Sequence, residues 1–170
     1  MSELSLTILP ESADDAVAIE RLHERTFGPG RLAKSAYRLR EGHGHSLDLS
    51  FTARIGTLLV GSVRQSTIRV GDTPALLLGP LTVEPPFRQH GIGKALIERA
   101  LAEAKARGHR LVVLVGDEPY YGPLGFKKVP RGQLAMPRPV DLDRILAVEI
   151  RPGAVAALKG MVDHEDLVRA

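Results

Sequence analysis

The stretch Arg88-Gln89-His90-Gly91-Ile92-Gly93-Lys94 carries the strongest chemical signal in the chain, because it joins an apolar run to a helical pattern. Glycines let the main chain approach a ligand closely, and the first N–H groups of a helix lack intrahelical acceptors. Those donors and the helix dipole favour an anion, most simply a phosphate. Arg88 and Lys94 add formal positive charge. A Walker loop needs a glycine five positions before its Gly-Lys pair, but Arg88 stands there and Ala95 follows the lysine. The dinucleotide fingerprint wants Gly or Ala where this chain has Leu96. On the glycines alone, a tight loop that only serves packing stands beside the anion-binding reading.

Other polar residues suggest less. His43 and His45 form a His-x-His with no third ligand nearby, so no metal site is expected. His90 sits inside the anion loop, as a donor or facing solvent, and His23 falls on a helical pattern as a structural or exposed residue. Ser62, Ser66 and Thr67 lie on a strand pattern, and no Ser-His-Asp arrangement can be argued. The absence of cysteine excludes disulfide scaffolds, thiol nucleophiles and Cys-based zinc sites.

The elements that must position the loop follow from periodicity. Leu4–Leu9 suits a short strand stopped by Pro10, and Ser12 then caps a helix running to about Phe27. A second helix is expected over Leu32–Arg40. Leu49–Ile55, Thr57–Val70 and Ala75–Val83 read as three strands with short links, an antiparallel meander. Gly79-Pro80 interrupts the third, which calls for a bulge or an unpaired edge. A helix from about Gly91 to Arg107, closed by Gly108, presents Ile92, Leu96, Ala100 and Ala104 as a core stripe. Leu111–Val115 reads as a strand buried on both faces, so strand, helix and strand make a right-handed parallel crossover. A short helix near Pro119–Leu124, strands near Phe126–Val129 and Ile145–Ile150, and a last helical stretch after Pro152-Gly153 complete the chain. The class is α+β: three layers around a mixed, mostly antiparallel sheet of six to seven strands with one central parallel crossover.

With 170 residues the chain suits one domain, expected over 1–160, with a frayed tail at 161–170. Seventeen glycines and 12 prolines make it turn-rich without the composition of a disordered chain. A net charge of +3 is too small to imply a nucleic-acid or membrane partner. The first residues lack the pattern of a signal peptide, no apolar run is long enough to span a bilayer, and a cytoplasmic location is expected.

Arg88-x-x-Gly91-x-Gly93 resembles the pyrophosphate-binding motif of the GCN5-related N-acetyltransferases. Leu81-Thr82-Val83-x-Pro85 looks like the end of that family's fourth strand, and Tyr120-Tyr121-Gly122-Pro123-Leu124-Gly125-Phe126 like its aromatic-Tyr-x-x-x-Gly-Phe segment. The Gly116-Asp117-Glu118-Pro119-Tyr120-Tyr121 run is most similar to a subgroup of predicted bacterial acetyltransferases. The resemblance covers roughly Leu4 to Ile150 and implies the acyl-CoA N-acyltransferase fold. It also implies acetyl-CoA as cosubstrate, with no metal, and a primary amine, small molecule or protein, attacking the thioester directly. Main-chain N–H groups of Gln89, His90, Gly91, Ile92, Gly93 and Lys94, beside Arg88, would hold the pyrophosphate. The pantetheine arm would pair near Leu81, Thr82 and Val83 in a gap between splayed strands. Tyr121 would donate a proton to the leaving thiolate, while Tyr120 packs. Glu84 is the best-placed base, with Asp117 and Glu118 as rivals, although many members need none. The acceptor pocket is expected from Phe27–Asp48, Tyr120–Leu124 and the C-terminal strand, and homodimers occur in the family. A non-catalytic acyl-CoA sensor is the alternative reading.

Overall fold

The computed structural model describes residues 5–27, 45–137 and 139–164. The helix expected over Leu32–Arg40, His43 and the chain end at 165–170 lie outside them.

Leu6–Pro10 forms β1, which runs through its terminal proline because it is an edge strand, where a missing donor costs little. The Ser12 hydroxyl accepts from the Asp14 N–H at 3.2 Å, and the Asp15 carboxylate accepts from the Ser12 N–H at 2.9 Å. This capping arrangement leads into α1, Ala16–Phe27. β2 (Phe51–Ile55), β3 (Leu58–Val70) and β4 (Thr73–Val83) pair antiparallel in succession. α2 (Ile92–Ala106) then crosses to β5 (Leu111–Val115), which lies parallel to β4. α3 (Glu118–Tyr121) precedes β6 (Lys127–Lys128), and β7 (Ile145–Glu149) inserts between β5 and β6.

Alternation along β5 explains why its sequence is apolar throughout. Val112 and Leu114 join the α2 stripe of Ile92, Leu96, Ala100 and Ala104, whereas Leu111 and Val113 meet Val129, Leu134 and Leu158 on the other face. Each fully buried leucine or isoleucine contributes about 2–3 kcal/mol to this core. α1 rests Ile19 and Leu22 on Leu59. Leu59 pairs with Arg54, whose neighbour Ala53 faces α2, so the two helices cover opposite faces of the sheet.

Two expectations for the C-terminal region are corrected. Residues 151–157 form successive turns instead of a helix, with Ala154 N–H donating to the Arg151 carbonyl and Leu158 N–H to that of Val155. Gly153 at φ 89° is incompatible with helix propagation. The expected tail at 161–170 begins inside the sheet, because Val162–His164 forms β8 and pairs antiparallel with Ile68–Val70 of β3. β3 is longer than β2 and exposes unpaired main-chain groups beyond it, which β8 satisfies. Among the described residues the sheet therefore has eight strands, beyond the six to seven expected.

Candidate active site

β4 and β5 pair only at Leu76–Val112 and Leu77–Val113, although β4 continues to Val83 and β5 to Val115. The divergence starts at Gly79-Pro80, where two residues of β4 stand opposite Arg64 alone and the register against β3 shifts. This is the expected bulge, with a cis peptide and Gly79 at φ 135°. Beyond it β4 keeps its bonds to β3 while leaving β5. The Glu84 N–H donates to the Val60 carbonyl at 2.8 Å, so Thr82, two residues earlier, also turns its peptide groups toward β3. Leu81 and Val83 turn theirs into the gap. Of the three residues expected to pair with a ligand arm, Leu81 and Val83 line the groove and Thr82 is buried behind them.

The groove encloses about 750 Å³ and reaches from this gap to the start of α2. Gly91 caps that helix at φ 73°, a left-handed conformation that favours glycine, and nothing crowds the space where its side chain would be. The first bond of the helix is from the Ala95 N–H to the Gly91 carbonyl. Among the described residues no acceptor meets the N–H groups of Gln89, His90, Gly91, Ile92, Gly93 or Lys94. The Arg88 side chain donates to the Val83 carbonyl at 3.3 Å, tying the loop to the end of β4. Lys94 is exposed, 3.8 Å from Glu98. His90 is exposed, its ring 6.5 Å from that of Phe87.

The opposite wall is the end of β5 and α3. Tyr121 lays its ring directly over Gly116, where a methyl group would collide with it, and meets Phe126 edge to face at 5.8 Å. Burial, reinforced by Tyr120 and Asp117, pushes the Tyr121 phenol up to about 12. Tyr120 stacks edge to face on Tyr121 at 4.8 Å, with half of its surface exposed. Asp117 accepts from Arg144 Nε at 3.1 Å, and both line the groove. Glu118 lies in α3 outside the main groove, beside a shallower pocket shared with Asp143.

Glu84 stands at the end of β4 as expected, but its carboxylate turns away from the groove. Arg25 of α1 donates to it from Nε at 3.2 Å and from Nη2 at 2.6 Å. The sequence reading missed this partner, 59 residues away, and also missed Thr26 and Arg144 in the groove wall. None of them carries a local pattern. Thr26 Oγ1 is buried without a hydrogen-bond partner at the α1 end of the groove. His45 is committed elsewhere, its Nε2 lying 2.6 Å from Glu11, which also accepts from Arg64. Burial raises the Glu11 pKa, but His45 and Arg64 outweigh it and hold the carboxyl below its usual value. His23 is buried beside Phe27. Among the described residues no cluster of His, Cys, Asp or Glu could hold a metal, and no helix is long and apolar enough to cross a membrane.

Unbonded main-chain N–H groups at a helix start, leading into a gap between diverging parallel strands, are the arrangement of an acyl-CoA N-acyltransferase fold. The model of the Acetyltransferase (GNAT) family matches residues 16–126, and the chain belongs to that family. It is 26% identical over 154 residues to "Uncharacterized N-acetyltransferase YhbS" of Escherichia coli strain K12, covering 89% of this chain and 92% of that one. A 62-residue stretch is 48% identical to "Uncharacterized N-acetyltransferase MJ1207" of Methanocaldococcus jannaschii, covering 32% of this chain and 27% of the relative. The crystal structure of Escherichia coli YhbS in complex with CoA superposes with a TM-score of 0.82 at 23% identity, over 100% of this chain and 95% of that one. A GNAT acetyltransferase from Brucella melitensis in complex with acetyl-CoA gives 0.72 at 25% identity, over 96% and 97%. The protein is an N-acetyltransferase of the expected fold.

Proposed function

We propose that this protein moves the acetyl group of acetyl-CoA to a primary amine by direct attack on the thioester. The observation that carries the reading is the continuity of one groove. Unpaired N–H groups at the start of α2 suit a diphosphate, and the peptide groups of Leu81 and Val83 suit the amides of the pantetheine arm. The complexes of YhbS with CoA and of the Brucella protein with acetyl-CoA support it. The thioester then lies in the gap beside Tyr121, where a β4 N–H polarises its carbonyl.

The acceptor enters from the α1 end, past Thr26, Phe27 and Arg144. Its nitrogen forms the C–N bond as the C–S bond breaks, loses one proton, and the sulfur gains one. Tyr121 donates a hydrogen bond to the departing thiolate and relays that proton. Glu84 holds Arg25 and the end of α1, and the amine arrives already deprotonated. Glu84→Gln is accordingly expected to leave kcat within about threefold and the pH–rate profile unmoved, measured as thiol release. A loss above about thirtyfold would make Glu84 the base.

Tyr121 also sets the alkaline behaviour. Its protonated form is the active one, and with a pKa near 12 it keeps that proton well above pH 10. The rate should therefore still rise with pH at 10, as an alkyl amine of pKa about 10.4 loses its proton. A decline centred near pH 10 would mean an ordinary, solvated phenol. The proposal itself is tested by thiol release from acetyl-CoA with a panel of amines, alongside thermal shift. Ligand at about 100 times Kd should stabilise the fold by about 2.7 kcal/mol. No shift at millimolar acetyl-CoA refutes the reading, and a shift without turnover on any amine makes the protein a sensor.

A further inference from the structure

Tyr120 occupies a position that packing alone does not explain. It leaves the short helix α3 on one wall of the groove, and its hydroxyl stands against Gly93 in the first turn of α2 on the other. A methyl group on Gly93 would collide with that hydroxyl, while Tyr120 Cζ would be at ordinary contact distance, 3.7 Å. A side chain at residue 93 would displace the Tyr120 hydroxyl, and the ring bridges the two walls. Half of the Tyr120 surface remains exposed, unlike a core residue. Its phenol stands beside the first turn of that helix, where Arg88 is already turned to Val83 and Lys94 toward Glu98.

We propose that Tyr120 is a cofactor-binding residue whose hydroxyl joins the N–H groups of the first turn of α2 in holding the diphosphate of acetyl-CoA. This rests on the acetyl-CoA reading above and deepens it. Any molecule with its thioester beside Tyr121 and its diphosphate at α2 must run past the contact between Tyr120 and Gly93. A phenol donating to an anion makes a charge-assisted bond, roughly twice as strong as a neutral one. Such a bond is made equally in the ground and transition states, so it acts on binding and leaves the chemical step alone.

The test compares Tyr120→Phe with the wild type on two thioesters, acetyl-CoA and S-acetyl-pantetheine, which lacks the diphosphate. Loss of a charge-assisted bond should lower kcat/KM for acetyl-CoA about tenfold, through KM, and weaken CoA binding in calorimetry by the same factor. The value for acetyl-pantetheine should stay within about twofold. Gly93→Ala, whose new methyl takes the place of the hydroxyl, should cause a comparable loss alone and little more when added to Tyr120→Phe. An equal fall on both thioesters would show that Tyr120 works only by supporting Tyr121, and overturns the proposal. Unchanged CoA affinity in a Tyr120→Phe protein whose wild type binds CoA overturns this proposal alone. A wild type that does not bind CoA overturns it together with the reading beneath it.

Discussion

Tyr121→Phe is expected to lower kcat for acetyl transfer by about a hundredfold or more, with KM for acetyl-CoA within about twofold and an unchanged melting temperature. Phenylalanine keeps the ring that covers Gly116 and meets Phe126 at 5.8 Å, so the wall of the groove stays in place. Only the donor is lost. With its pKa near 12 the phenol is a weaker acid than a free thiol, whose pKa is about 8.5. Tyr121 therefore cannot supply the proton outright against that gap. It donates a hydrogen bond as charge builds on sulfur and passes on the proton released by nitrogen, and burial strengthens such a bond. Steady-state thiol release over a range of acetyl-CoA concentrations separates the two parameters. A kcat within threefold of the wild type would remove Tyr121 from the chemistry.

Gly160→Ala, far from the groove, should cost about 3 kcal/mol of stability and lower the melting temperature by roughly 10 °C. Gly160 has φ 132°, and an added Cβ would lie 2.7 Å from the Cα and 2.9 Å from the nitrogen of Gly71. That neighbour is backbone in the turn joining β3 to β4, and it cannot swing aside as a side chain would. Around it the Gly71 N–H donates to the Met161 carbonyl, Ala135 to Gly160, and Val162 to Ala135. Moving residue 160 would break this set and unseat β8. Thermal unfolding measures the effect, while kcat of the folded variant at low temperature should be that of the wild type. A melting temperature within about 2 °C would mean that the C-terminal segment contributes little to the fold.

The parts of the site legible in the sequence are those whose signal is local. The loop from Arg88 to Lys94 announces itself because glycine spacing, charge and the following helical stripe all lie within one turn or two. The bulge at Gly79-Pro80 is legible for the same reason, since a proline cannot serve a buried ladder. Leu111–Val115 reads correctly because burial on both faces needs apolar side chains at every position. The partner of Glu84 was not legible, because Arg25 looks like any exposed helical arginine until α1 is packed beside β4. The three residues of β8 include Asp163 and His164 and are too few for a periodic pattern, so a strand there reads as a tail.

Taken alone, the amino-acid order determined most of the strands and helices, the glycine-rich turn that opens α2 and the aromatic pair that stands near it. Each depends on contacts within a few residues, which spacing records directly. The tertiary structure decided that β4 and β5 part after two paired positions, that Tyr120 reaches Gly93 across the opening, that Glu84 turns to Arg25, and that β8 fills the vacant edge of β3. Those are choices among distant partners, made by packing and by the need to satisfy main-chain groups, and no spacing along a single chain encodes them.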